Sequence, residues 1–90
     1  MFIVVAYDIT DDRRRTRLHK RLKSFGTPVQ YSVFECVLNE RQLREMKGMV
    51  RKTIQSKADF VRYYSLCESC RANIQAINGQ VTDVQDTLVI

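Results

Sequence analysis

The chain has 90 residues, 44% of them hydrophobic and 28% charged, with a formal net charge of +5 and a pI of about 9.4. That length allows one domain and excludes a second core. No apolar run approaches the ~18 residues needed to span a bilayer, and the basic balance points to an anionic partner.

The charge is unevenly placed. Arg13, Arg14, Arg15, Arg17, Lys20, Arg21 and Lys23 crowd into residues 11–23 against Asp11 and Asp12. A second basic stretch covers residues 39–57, while residues 72–90 contain no Lys or Arg. The first residues lack a basic leader and a cleavage-like site, and the three cysteines are odd in number. These features predict reduced thiols, no membrane contact and a cytoplasmic location.

Phe2 to Tyr7 is a continuous apolar run with β-branched and aromatic members, as in a central strand buried on both faces. Phe2, Val4, Ala6 and Asp8 share one face of it, and Ile3, Val5 and Tyr7 the other. A helix then runs from an N-cap at Thr10 to about Phe25, with Leu18, Leu22 and Phe25 as its apolar stripe. Gly26 and Pro28 stop it. Residues 28–31 and 33–38 read as two strands separated by a bend or bulge at Ser32. Asn39 caps a second helix ending near Lys57, with Leu43, Met46, Val50 and Ile54 inward and Gly48 as a weak point. Residues 60–67 form another strand, 68–71 a turn, and 73–77 a short strand before the Asn78-Gly79 turn pair. Thr87 to Ile90 is a last β-prone segment. The order βαββαβ predicts a single α+β domain over residues 1–90, a ferredoxin-like sandwich with extra C-terminal strands. Such a fold does not by itself assign a function.

The chemistry concentrates where the first strand meets the first helix. Asp8 is a hard-oxygen donor suited to Mg²⁺ or Mn²⁺; it is equally a residue type found in turns and caps. A single carboxylate makes a weak site, and a second copy of the chain across a two-fold axis would supply another. The cluster Arg13, Arg14, Arg15, Arg17, Lys20 and Arg21 reads either as a phosphate grip on a helix N-terminus or as a solvated face. Two neighbouring acids are too few to neutralise it, which favours nucleic acid. Tyr7, Tyr31 and Phe34 could stack a base, although strand aromatics are more often core. Cys67-Glu-Ser-Cys70 is one C-x-x-C, and His19 is the only histidine, so zinc lacks a second ligand pair. No phosphate-binding glycine loop or dinucleotide fingerprint is present.

Tyr7-Asp8-Ile9, Asp11-Asp12, Arg15-x-Arg17 and Gln30-Tyr-Ser-Val-Phe-Glu-Cys36 together resemble the small CRISPR-associated adaptation protein family, the dimeric partner of the CRISPR integrase. The likeness covers nearly the whole chain, including the Leu66-Cys67 strand end. It implies a ferredoxin-like homodimer in which Asp8 of each subunit meets near the axis and binds Mg²⁺. It implies metal-dependent endonuclease activity on RNA or double-stranded DNA, with Tyr7, Arg15, Arg17 and Phe34 at positions linked to catalysis. Where some members carry a basic residue just before the Val-Gln-Tyr-Ser segment, this chain has Pro28.

The leading expectation is a subunit of spacer acquisition in antiviral defence that binds nucleic acid and hydrolyses phosphodiester bonds. Asp8 would hold the metal, Arg15 and Arg17 would steady the phosphate, and water would attack. The alternatives are a non-catalytic DNA-binding scaffold for the integrase and an RNA-cleaving toxin-like nuclease. Thr87 to Ile90, with residues 73–77, is expected to add strands to the sheet edge of the other subunit.

Overall fold

The computed structural model describes residues 1–78. Its elements run β1 (Phe2–Asp8), α1 (Asp12–Leu22), β2 (Thr27–Gln30), β3 (Val33–Val37), α2 (Glu40–Thr53), β4 (Phe60–Leu66) and α3 (Glu68–Ala72). The four strands form one sheet in the order β2-β3-β1-β4. β1 pairs antiparallel with both β3 and β4, and β2 with β3. This is the expected ferredoxin-like α+β arrangement.

The pleat divides β1 into two faces with different fates. Ile3, Val5 and Tyr7 join Phe34 and Cys36 of β3 in the core, under Leu18 and Leu22 of α1 and Met46 and Val50 of α2. The opposite face carries Val4 and Ala6, which are only half-buried, and then Asp8, which is exposed. Across the ladder, Asp8 faces Phe60, Ala6 faces Arg62 and Val4 faces Tyr64. Phe60 and Tyr64 are exposed. β1 is therefore covered by helices on one face only. The run Phe2–Tyr7 reads as doubly buried because the second face is apolar too, but within residues 1–78 only its Phe2 end is covered, with the Arg71 guanidinium 5.7 Å from the ring centre.

Several boundaries differ from expectation. Asp11, not Thr10, caps α1: its Oδ2 accepts from the Arg14 N–H at 2.9 Å. α1 ends at Leu22, because the N–H groups of Phe25 and Gly26 both turn back onto the Leu22 carbonyl. Gly26 does not act through a positive φ. A Cβ there would lie 2.4 Å from Cys36 Sγ and 2.5 Å from the Glu35 carbonyl oxygen, so the chain leaving α1 passes directly against β3. α2 starts at the expected cap, where Asn39 and Gln42 exchange side-chain-to-backbone hydrogen bonds. It stops at Thr53, before Lys57, and the Gln55 N–H just beyond it goes to the Asp59 carboxylate.

The β2–β3 hairpin turns at Tyr31 and Ser32, and the ladder irregularity lies between Pro28 and Gln30 instead of at Ser32. Pro28 is tolerated because β2 is a sheet edge. Residues 68–72 make a short helix, and its last turn continues as Asn73 and Ile74 donate to the Cys70 and Arg71 carbonyls. That turn replaces the strand expected at residues 73–77. The expected end strand, Thr87 to Ile90, lies outside the described residues.

Candidate phosphodiester site

Three pieces of chain meet at the C-terminal end of β1. The Tyr7 N–H donates to the Ser32 carbonyl at 3.0 Å, which pins the β2–β3 turn to the strand end. One residue later Asp8 points out of the open face. One residue further, the Ile9 carbonyl accepts from Arg15 Nη1 at 3.1 Å, which ties the first turn of α1 to the same corner. Arg15 also pairs with Asp12, and its guanidinium carbon lies 5.9 Å from the centre of the Tyr31 ring. The hydrogen bond that Arg15 donates to Asp12 holds the Arg15 pKa above its ordinary value, so this group stays a cation at any working pH. An exposed carboxylate, a fixed guanidinium and an aromatic turn thus sit around one strand end.

The other expected residues divide by environment. Tyr7 and Phe34 lie on the helix side of the sheet, opposite in pleat to Asp8. Phe34 is fully buried, Tyr7 is buried, and their rings are 6.4 Å apart. The Tyr7 hydroxyl reaches His19 Nδ1 at 3.3 Å, and His19 meets the Phe34 ring edge-on at 5.1 Å. Burial raises the Tyr7 pKa, with Arg15 opposing it. This stack can set the position of the strand end but does not share the open face with Asp8.

Within the basic cluster, Arg14 and Arg21 are committed to the fold. Arg14 forms a two-pronged pair with the buried Asp59, and Arg21 donates to the buried Thr53 hydroxyl at 2.7 Å. Arg13, Arg17 and Lys20 differ: they are exposed and, with Asp12 and Thr16, line an open depression of about 450 Å³. Among the described residues none of these three has a carboxylate partner within salt-bridge distance.

Residues 1–74 match the family described as CRISPR associated protein Cas2. The chain belongs to the Cas2 family. It is 47% identical over 66 residues, 73% of this chain and 71% of the relative, to a Chloroflexus aurantiacus protein named CRISPR-associated endoribonuclease Cas2 3. Its fold is similar to the crystal structure of a hypothetical protein from Thermus thermophilus, with TM-score 0.79 and 38% identity over 88% of this chain and 93% of that one. It is also similar, as a fold, to a chain of a partial Cas6-RT-Cas1–Cas2 complex, with TM-score 0.75 and 24% identity over 89% and 88% of the two chains. Membership of the Cas2 family makes this a CRISPR-associated protein of a group whose relatives bear nuclease names.

Two residues take their place only in three dimensions. Asp59 precedes a strand and carries no local motif, so no sequence signal ties it to Arg14. Tyr31, named from the sequence as a possible base stack but weighted toward core, is 79% exposed at a hairpin tip. The turn at Tyr31-Ser32 was the available signal, because the first residue of a two-residue hairpin loop projects from the sheet. Among the described residues, no group of three His, Cys, Asp or Glu is placed to hold a metal, and no helix is long and apolar enough to cross a membrane.

Proposed function

We propose that this chain is a divalent-metal-dependent endonuclease of the Cas2 family that cleaves RNA, with double-stranded DNA as a second substrate, and that it acts as a cytoplasmic homodimer. The observation that carries the reading is the exposed Asp8 at the end of β1, with the Arg15 guanidinium anchored one residue away on the Ile9 carbonyl. Relatives named endoribonucleases support the choice of RNA.

Asp8 fits a hard-oxygen cation by chemistry, but one carboxylate fills little of a coordination sphere of about six. A second Asp8, brought by another copy across a two-fold axis, supplies the missing donor. The open sheet face supports that pairing, because Val4, Ala6, Phe60 and Tyr64 lie on it beside Asp8. Mg²⁺, or Mn²⁺ in its place, supplies Lewis acidity toward phosphate and an activated water when bound. Arg15 and Arg17 neutralise charge on the scissile phosphate, a role that suits a planar, permanently charged guanidinium. Tyr7 and Phe34 serve as positioning residues behind the strand. Arg13 and Lys20 hold the flanking backbone.

The test is cleavage of RNA and of duplex DNA with and without Mg²⁺, using wild type and Asp8→Ala. Asp8 is exposed, so its loss leaves the fold intact by circular dichroism while cleavage disappears. Cleavage that survives Asp8→Ala overturns the reading.

A second reading is a non-catalytic scaffold for the CRISPR integrase. It is supported by the open basic depression of Arg13, Arg17 and Lys20, which suits duplex backbone without sequence preference. The integrase subunit belongs to this proposal as a partner; a chain of like fold occurs in the partial Cas6-RT-Cas1–Cas2 complex. Strong duplex binding with no Asp8-dependent cleavage under any metal favours the scaffold.

A further inference from the structure

We propose that Tyr31 is a base-stacking platform that selects single-stranded RNA, in a nucleotide subsite between α1 and the β2–β3 hairpin tip. The inference rests on the reading of this chain as one that acts on nucleic acid, and it names which form of substrate enters the site.

A tyrosine ring is expected to bury most of its area unless something else is meant to cover it. Tyr31 leaves 79% of its surface in solvent. It is not loosely held. Its turn is fixed to β1 by the bond from the Tyr7 N–H to the Ser32 carbonyl, and the Arg15 guanidinium lies 5.9 Å from the ring centre. A cation thus stands over the ring while most of its surface faces solvent.

The ring borders a depression of about 370 Å³ whose lining includes Arg15, His19, Lys20, Lys23 and Gln30, and no carboxylate. That volume lies in the range of small-molecule sites. Lysines and arginine suit a phosphate, an exposed aromatic suits a base, and the Gln30 amide can both donate to and accept from a base edge. Exposed aromatics interleaved with cations are the mark of single-strand binding, because every base has a π face but a duplex hides it. A duplex can reach the lysines and not the ring.

The subsite also connects to the carboxylate. Ser32 follows Tyr31, its carbonyl is bonded to Tyr7, and Asp8 follows Tyr7. One hydrogen bond and two peptide links thus join the subsite to the strand end whose other face carries Asp8.

The experiment measures binding in EDTA, so that cleavage cannot contribute. The full chain is titrated with a short single-stranded oligoribonucleotide and with the duplex of the same sequence, across a salt series. Tyr31→Ala is expected to weaken single-strand binding by about 5- to 150-fold, the range for loss of one base stack. Duplex affinity and the salt slope stay unchanged. Tyr31→Phe, which keeps the ring, retains single-strand affinity. Equal losses on both forms, no loss on the single strand, or a Tyr31→Phe defect as large as that of Tyr31→Ala each overturn the subsite. The outcomes separate from those of the nuclease test. Tyr31-dependent binding without Asp8-dependent cleavage keeps the subsite and removes the nuclease, and Asp8-dependent cleavage indifferent to Tyr31 does the reverse.

Discussion

Arg14 and Asp59, 45 residues apart in sequence, meet through two parallel hydrogen bonds, Nε to Oδ2 at 2.8 Å and Nη2 to Oδ1 at 3.1 Å. The Asp59 side chain has no exposed surface, and its Oδ2 also accepts from the Gln55 N–H at 2.8 Å. The pair joins the start of α1 to the loop before β4. The Arg14 hydrogen bond lowers the Asp59 pKa, burial opposes it, and the Gln55 N–H adds to the lowering. A carboxylate depressed on folding stabilises above its unfolded pKa of about 3.9, and that stability is lost as pH falls through the lower folded value. Asp59→Asn should therefore lower the melting temperature by several degrees at neutral pH, and the gap to wild type should narrow as pH falls below the ordinary carboxylate range. Thermal melts over pH 2–7 check it; a gap that is constant with pH removes the ionic account.

That pair also marks the limit of what the sequence discloses. The element order, the Asn39 cap and the inward stripes of both helices were legible because each depends on local periodicity or spacing. So was Asp8 at the strand end. The partners of individual arginines were not, because α1 presents Arg13, Arg14, Arg15 and Arg17 within two turns, and only the tertiary fold decides which meets a buried acid. Sequence patterning groups Arg14 and Arg21 with the phosphate-binding residues; the structure sets them against Asp59 and Thr53. Exposure of the second face of β1 was illegible for a different reason. Its residues are apolar, and periodicity cannot say whether the cover comes from the same chain.

The glycines Gly26 and Gly48 should respond oppositely to alanine. At Gly26 an added Cβ meets Cys36 Sγ at 2.4 Å and the Glu35 carbonyl oxygen at 2.5 Å, and backbone cannot move aside cheaply. Gly26→Ala should cost about 1–3 kcal/mol, the usual range for overpacking. At Gly48, inside α2, a Cβ meets nothing within 4 Å. Gly48→Ala should stabilise by about 0.5–1 kcal/mol through lost unfolded-state freedom and better helix propensity. Urea titrations of both variants give the two signs. A destabilised Gly48→Ala would mean that its open side is covered in solution.

Among the cations, Arg17 and Lys20 should carry the salt dependence, and Arg14 and Arg21 should not. Each phosphate contact contributes about −0.9 to the log–log slope on duplex and about −0.7 on a single strand. Arg17→Ala and Lys20→Ala should each flatten the slope by about that amount and weaken all sequences alike. Arg21→Ala removes the bond to Thr53, so it should lower stability while leaving the slope near wild type. Anisotropy titrations in increasing KCl, with melts in parallel, separate the groups. Slopes unchanged in Arg17→Ala and Lys20→Ala would place the nucleic acid elsewhere on the surface.

The shared-carboxylate proposal has a quantitative consequence. If one metal site needs Asp8 from both subunits, a dimer with one Asp8→Ala subunit is inactive. Activity of a co-refolded mixture should then fall with the square of the wild-type fraction, to about a quarter of the full rate at equal amounts. Two independent sites predict a linear fall, to about half. The substitution should not dissociate the dimer, because it removes like charges from a face whose contact surface is supplied by Val4, Ala6, Phe60 and Tyr64 around Arg62. Sedimentation of the mixture supplies that control independently of activity. Tyr64→Arg should do the opposite, removing the ring and setting a second cation beside Arg62 on the same face, shifting the chain toward monomer and lowering Mg²⁺-dependent cleavage with it. A linear mixing curve from an intact dimer would leave each Asp8 to work alone.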